Sequence, residues 1–321
     1  YAEAYNNIGI VFKDQGRLEE SIEVLKKAIA LKPNYAEAYN NIGIVFKDQG
    51  RLEESIEVLK KAIALKPNYA EAYNNIGIVF KDQGRLEESI EVLKKAIALK
   101  PNYAEAYNNI GLSYYAMGKN DLAINNLKDA IKIKSNNPEA YNNIGLAFFS
   151  KGYLLDSINC YKKAINIKPD FEEAYNNMGD ALSEKGELYL AIKSFKKAIK
   201  LKPDYEKALA NKLHQEANIC DWDAIEKDKG LIREIGISNK GISPFSLISL
   251  EDEPETQRLR SENFIKTYHP QKSLKPKPRP IQKPKRIRIG YFSSDFYDHA
   301  TMHLMIKVFE VHNKNDFEVS P

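Results

Sequence analysis

Residues 1–34 read YAEAYNNIGIVFKDQGRLEESIEVLKKAIALKPN, and the same 34 letters return at 35–68 and again at 69–102. Within this unit Tyr5, Ile8 and Phe12 recur at helical spacing around Gly9, and Ile22, Leu25, Ala28 and Ile29 form a second apolar stripe. Gly16 separates the two stretches and Pro33-Asn34 ends the second. Asn34, with Glu37 three residues on, predicts a capping box for the next first helix. Beyond residue 102 the 34-residue period continues from Tyr103, Asn137 and Phe171, with a half-unit from Tyr205. These diverged units keep Tyr107-x2-Ile110-Gly111, Tyr141-x2-Ile144-Gly145 and Tyr175-x2-Met178-Gly179. Two helices cannot bury an apolar face alone, so such units must stack. The expected fold is mainly α: an α-solenoid superhelix of six full 34-residue repeats plus a half repeat or capping helix over residues 1–218.

The pattern Tyr-x2-Ile-Gly-x2-Phe…Ser-x3-Leu…Pro resembles the tetratricopeptide repeat. In such an array the polar side of each first helix lines the concave surface. At 100° per residue, Glu3, Asn6, Asn7, Ile10, Lys13 and Asp14 fall opposite Tyr5, Ile8 and Phe12. Asparagine inside a helix costs roughly 0.5–0.7 kcal/mol against alanine. It nevertheless holds the seventh position of every unit: Asn7, Asn41, Asn75, Asn109, Asn143, Asn177 and Asn211. Copying accounts for the first three; the last four are independent. One reading is a ladder of amides that offers donors and acceptors to the backbone of an extended polypeptide. The other is a solvated face, which the second asparagine at position six favours. On the ladder reading, alanine at these positions weakens binding and leaves helicity unchanged or slightly higher. A basic carboxylate clamp, with Lys at Asn6 and Asn at Ile10, is absent, which disfavours an adaptor for chaperone tails.

Composition narrows the function classes. With 48 basic and 44 acidic side chains the net charge is +4, and each copied repeat is neutral, which argues against whole-chain binding of nucleic acid. Two cysteines, Cys160 and Cys220, exclude a disulfide framework and suit a reducing, cytoplasmic setting. No apolar run approaches the roughly 20 residues of a membrane span. The chain starts at Tyr1, not Met, and stops just after the strand-like Phe317-Glu318-Val319, so it reads as a piece of a longer protein.

After the array, residues 219–270 read as a helical junction. It opens on Cys220-Asp221-Trp222, with helices expected over Asp223–Glu234, from Ser243-Pro244 onward, and from about Pro254 to before His269-Pro270. Residues 271–285 form a basic, proline-rich linker. From Gln271 to Arg288 there are eight basic side chains, four prolines and no acid. A patch for anionic surfaces is one reading; without interleaved aromatics a solvated connector is the better one. Residues 286–321 change period. Ile287, Ile289 and Tyr291 alternate as a strand, a loop carries His299, Thr301–Val311 reads as a helix, and Phe317–Val319 as the next strand. This is the β-α-β opening of a parallel α/β lobe, whose ligands gather at strand ends.

The array, the Cys220-Asp221-Trp222 junction and the run from Arg286 through Gly290-Tyr291-Phe292-Ser293-Ser294-Asp295-Phe296-Tyr297-Asp298-His299 to Met305 together resemble the O-linked N-acetylglucosaminyltransferases. The resemblance is closest to their bacterial, SPINDLY-like members. Asn211, nine residues before Cys220, matches the family's last ladder asparagine. The resemblance implies a Rossmann-like (GT-B type) lobe beginning at residue 286. It also implies transfer of GlcNAc or a related sugar from a nucleotide-sugar donor, UDP-GlcNAc being expected, to Ser or Thr of a polypeptide lying in the concave groove. No cofactor and no metal is implied, and His299 and His303 lack a third ligand for one. The donor-binding lobe would lie downstream of Pro321, so this piece alone is expected to be inactive. His299 is the candidate catalytic residue, its imidazole suited to proton transfer near neutral pH; the alternative is a histidine that caps the following helix. Two functions stay open: the acceptor arm and catalytic start of a protein O-glycosyltransferase, or a non-enzymatic interaction scaffold.

Overall fold

The computed structural model describes residues 1–237, 241–248, 250–268, 287–290 and 317–320. They fall into two units, Tyr1–His269 and Pro270–Pro321. The first is a tetratricopeptide α-solenoid. Its repeats are the helix pairs α1 (Ala2–Asp14) and α2 (Leu18–Leu31), α3 (Ala36–Asp48) and α4 (Leu52–Leu65), α5 (Ala70–Asp82) and α6 (Leu86–Leu99). There follow α7 (Ala104–Ala116) and α8 (Asn120–Ile133), α9 (Pro138–Ser150) and α10 (Leu154–Ile167), α11 (Glu172–Glu184) and α12 (Leu188–Leu201), and the half-unit α13 (Glu206–Asn218).

Position nine decides how closely the two helices of a repeat approach. A Cβ at Gly77 would stand 2.5 Å from the Leu93 Cγ, and one at Gly145 would stand 2.5 Å from the Tyr161 ring. Only glycine lets α6 settle on α5, and Ser89 Oγ then donates to the Gly77 carbonyl at 2.7 Å. Leu25, Leu59 and Leu93 are fully buried by this fit, each contributing about 1.5–3 kcal/mol. The next layer is shared between repeats: Ile22 and Leu25 pack on Ile42, Val45 and Phe46 of the following helix. Identical sequences therefore differ in burial. Ile8 and Val11 of α1 are 43% and 52% exposed, whereas Ile42 and Val45 of α3 are 4% and 0%. Burial here belongs to the neighbour.

The capping box at Asn34 does not form. α3 starts at Ala36 with Tyr35 at its N-cap and no side-chain cap. Asn34 lies in the turn closed by Tyr35 N–H on the Lys32 carbonyl, and Glu37 pairs instead with Lys66 at 2.9 Å. Where Asn137 replaces the tyrosine, its Oδ1 does accept from Ala140 N–H at 3.0 Å, with Pro138 opening α9.

The array ends on a second core, in which Leu209, Ala210 and Leu213 of α13 pack with Ile225, Ile232, Ile235, Ile242 and Leu247. It contains α14 (Trp222–Ile232), capped by Asp221, and α15 (Pro254–Tyr268). The helix expected at Ser243-Pro244 is a single 3-10 turn, Pro244–Ser246. Arg260 of α15 is completely buried. It donates to the Ile232 and Ile235 carbonyls at 2.9 and 2.8 Å and pairs with Glu251 at 3.1 Å. The first of these bonds satisfies the last carbonyl of α14, and the second one in the turn that follows it.

In the second unit, β1 (Ile287–Gly290) and β2 (Phe317–Ser320) pair in parallel, Ile287 opposite Phe317 and Gly290 opposite Ser320. A parallel pair needs a long crossover, and residues 291–316 supply the length. The expected helix Thr301–Val311, the loop with His299 and the linker over 271–285 lie outside the described residues.

Candidate functional site

From Asn41 onward, each seventh-position asparagine is hydrogen-bonded to the sixth-position asparagine of the repeat before it, a ladder whose rungs reach between repeats. Asn41 Nδ2 donates to Asn6 Oδ1 at 2.8 Å. Asn75 donates to Asn40 and Asn109 to Asn74, each at 2.9 Å. Asn143 donates to Asn108 and Asn177 to Asn142, each at 3.0 Å. Asn211 closes the series on Asn176 at 3.3 Å. Asn7, in the first helix described, is exposed.

This geometry corrects the view of position six as solvated. Asn6, Asn40, Asn74, Asn142 and Asn176 are buried, from 6% down to 0% exposed. Each is the acceptor that ties its repeat to the next, and an unpaired amide there costs about 1–3 kcal/mol. The signal was present in the sequence as a pair 35 residues apart, position six of one unit with position seven of the next. The last half-unit, which has no following array helix to receive, carries Ala210 at position six. The bond takes one of the two N–H groups of the seventh-position amide and leaves its Oδ1 and other N–H outside the pair. Those seventh-position amides from Asn41 to Asn143, together with Asn211, are partly exposed; Asn177 is buried.

The ladder changes character at its last rung. Position ten, Ile44 and Ile78 in the copies, is Asp180 in the sixth repeat. Asp180 accepts from Asn211 Nδ2 at 2.7 Å and from Asn176 Nδ2 at 3.2 Å, with Lys207 Nζ at 3.6 Å. Burial pushes its carboxyl above the usual carboxylate range, against the opposing pull of Lys207. Beside it a cavity of about 520 Å³ opens between α13 and α15, lined by Tyr205, Lys207, Asn211, Phe264 and Tyr268. Burial and nearby carboxylates raise the Tyr205 hydroxyl, which stays protonated. Neutral hydroxyl, ammonium, amide and aromatic faces thus meet where the ladder ends, a set suited to a polar main chain with a few side chains. The sequence reading missed Asp180 because it differs from its counterparts at one position in one repeat.

The other singled-out residues stand apart. Cys160 lies within α10, and burial pushes its thiol up to about 11, so it packs as a neutral group. His299 falls among residues the structure does not describe. No helix among the described residues is long and apolar enough to cross a membrane.

Comparison with known proteins extends this picture. Residues 263–320 match the glycosyl transferase family 41 model. Among solved structures, the chain is similar to a chain of the APC/C hetero-tetramer Cut9–Hcn1, with TM-score 0.60 and 16% identity over 66% of this chain and 42% of that one. It is also similar to PilF of Pseudomonas aeruginosa, with TM-score 0.56 and 19% identity over 68% and 97% of the two chains. A thermophilic TPR protein of Thermus thermophilus, TTC0263, gives TM-score 0.52 and 23% identity over 57% and 100%. At these identities the likeness is one of fold. Comparison with curated protein sequences gave no match. The TPR repeat model matches residues 9–50, 45–84, 77–118, 111–152 and 145–186, and a second tetratricopeptide model matches 172–205. With more than half its length matched in this way, the chain belongs to the tetratricopeptide-repeat family.

Proposed function

We propose that the chain is the acceptor-recognition arm, helical junction and catalytic start of a protein O-glycosyltransferase of the bacterial, SPINDLY-like kind. The observation that carries this reading is the order of the matches: the repeat matches end at residue 205 and the family 41 match begins at residue 263 of the same chain. In this reading an extended acceptor lies along the seventh-position amides, of which Asn41, Asn75, Asn109 and Asn143 are partly exposed and offer an Oδ1 and an N–H, while Asn211 offers its Oδ1. Its path ends at Asn211, the last of the series. Main-chain recognition of this kind accepts many sequences, as a transferase with varied protein substrates requires. The donor is a nucleotide sugar, UDP-GlcNAc or a relative, and Ser or Thr hydroxyls are the acceptors. Transfer requires donor and acceptor to be held together, so it is read on the complete parent enzyme.

His299 is assigned to the reacting centre, where its imidazole accepts a proton or a hydrogen bond from the acceptor–sugar site. The test is a transfer assay on the complete parent enzyme, run beside an acceptor-binding assay on the same variants. His299→Ala is expected to lower turnover roughly 10²-fold and to leave acceptor capture intact. Wild-type turnover in that variant removes His299 from the chemistry. A parent that transfers no sugar from any nucleotide donor leaves an interaction scaffold.

A further inference from the structure

A second groove lies on the other flank of the first helices, away from the ladder. It runs between the second helices of adjacent repeats, α10 and α12, with α11 as its floor, and encloses about 670 Å³. Ile158, Met178 and Leu182 form the apolar base. Leu155 and Leu190 form the lips and are 61% and 51% exposed. Around them stand Lys162, Lys193, Lys197 and Lys200, none of which pairs with a carboxylate among the described residues. Two further lysines on the rim are already engaged, Lys185 with Glu187 and Lys196 with Glu216.

The molecule contains its own control for this groove. The equivalent space between α4 and α6, over α5, is about 320 Å³. Its rim carries Glu88 where the sixth repeat has Leu190, and Glu91 where it has Lys193; Val92 corresponds to Ser194. Across the whole helix, α6 holds Glu87, Glu88 and Glu91 against Lys94 and Lys95, whereas α12 holds four lysines and no acid. The control groove keeps Lys60 and Lys95 at the positions of Lys162 and Lys197, but has Glu91 and Ala98 where the sixth repeat has Lys193 and Lys200. The scaffold therefore requires neither of these two lysines nor the exposed leucine. Unopposed lysines on one rim repel one another, and an exposed leucine gains nothing from water. Both features are relieved together by a ligand that is apolar along one stripe and acidic along its edges.

We propose that the groove between α10 and α12 docks an acidic amphipathic helix of a partner protein. The walls are 14-residue helices, about 21 Å long, enough to seat apolar anchors at i, i+3, i+4 and i+7. Leu155 and Leu190 meet the anchors, and Lys162, Lys193, Lys197 and Lys200 face the flanking carboxylates. The chain's own stretch from Gln271 to Arg288 carries eight basic residues and no acid, so it is repelled and is not the occupant. The site is independent of acceptor recognition, since the ladder residues do not line it.

The test is selection on the full chain from a displayed library of helical peptides. Leu is fixed at i, i+3, i+4 and i+7, and the other positions vary among Asp, Glu, Lys, Ser and Ala. Selected sequences are expected to be rich in Asp and Glu beside the leucines. A fluorescein-labelled winner is expected to bind with a Kd raised about ten-fold or more by Leu190→Glu with Lys193→Glu. That double variant restores the side chains the copied repeats carry at these positions, so its circular dichroism and melting should match wild type. Selection without acidic bias, or binding indifferent to the double variant, overturns the proposal. So does binding of phosphatidylserine vesicles in place of peptide, or a dimer seen by light scattering that the double variant dissolves.

Discussion

Repeats one to three and repeat six place the same helix pair around different chemistry. In the copies, Ile78 sits at position ten and Glu88 and Glu91 rim a narrow outer groove; in repeat six these become Asp180, Leu190 and Lys193. What does not change is the join. Position nine stays glycine, and the amide bond between repeats measures 2.9 Å from Asn75 to Asn40 and 3.0 Å from Asn177 to Asn142. The constant set is what stacking requires, and the variable set is where a ligand is met.

If position nine belongs to the join, breaking it should hurt the diverged repeats most. Gly145→Ala puts a methyl group 2.5 Å from a ring carbon of Tyr161, whose side chain is fully buried. Overpacking of this kind costs about 1–3 kcal/mol, read as a lower midpoint in urea unfolding. The matching Gly77→Ala meets the branched Leu93 and should cost less, because an alkyl chain shifts more readily than a ring. Equal costs would show that the ring adds nothing to the constraint.

The amide join predicts a coupling shared by both kinds of repeat. Asn177→Ala should destabilise by about 1–3 kcal/mol, because the buried Asn142 is left without its donor. Asn142→Ala with Asn177→Ala should cost less than the sum of the single changes. The coupling from this double-mutant cycle should be about 0.5–3 kcal/mol and should match that of Asn74 with Asn109. Additive single effects would reduce the rungs to incidental contacts.

The smallest effect concerns the one acidic rung. Because burial raises the carboxyl of Asp180 in the folded state, folding favours its protonated form. Its stabilising share is complete below the ordinary carboxylate value and is lost as pH rises through the raised one. Asp180→Asn should therefore melt with wild type in acid and slightly above it at neutral pH, and the gap should open across that interval. Asn can still accept from Asn211. A gap of the opposite sign would mean that Lys207 outweighs burial.

The solenoid was legible because its signals are periodic: Gly and the Tyr-x2-Ile spacing recur whatever surrounds them. Helix ends were less so, since Tyr35 takes the N-cap that Asn34-x2-Glu37 suggested. Position six was misjudged because one helix seen alone places Asn6 with Lys13 and Asp14, and its partner Asn41 lies in the next repeat. Arg260 reads as a surface residue of a charged helix until Ile232 and Ile235 turn their carbonyls toward it. The outer groove becomes visible only when α10 and α12 stand side by side.

The central claim is that the amides joining the repeats also offer a line of main-chain partners to an extended polypeptide. Side-chain amide resonances of selectively labelled Asn, followed while an unstructured acceptor polypeptide is added to the full chain, test it directly. The Nδ2 signals of Asn75, Asn109 and Asn143, which are partly exposed, are predicted to shift together along one binding curve, while those of Asn159 and Asn166 on α10 stay in place. Ladder signals that do not move while the polypeptide binds would contradict the claim and leave the amides a purely structural seam.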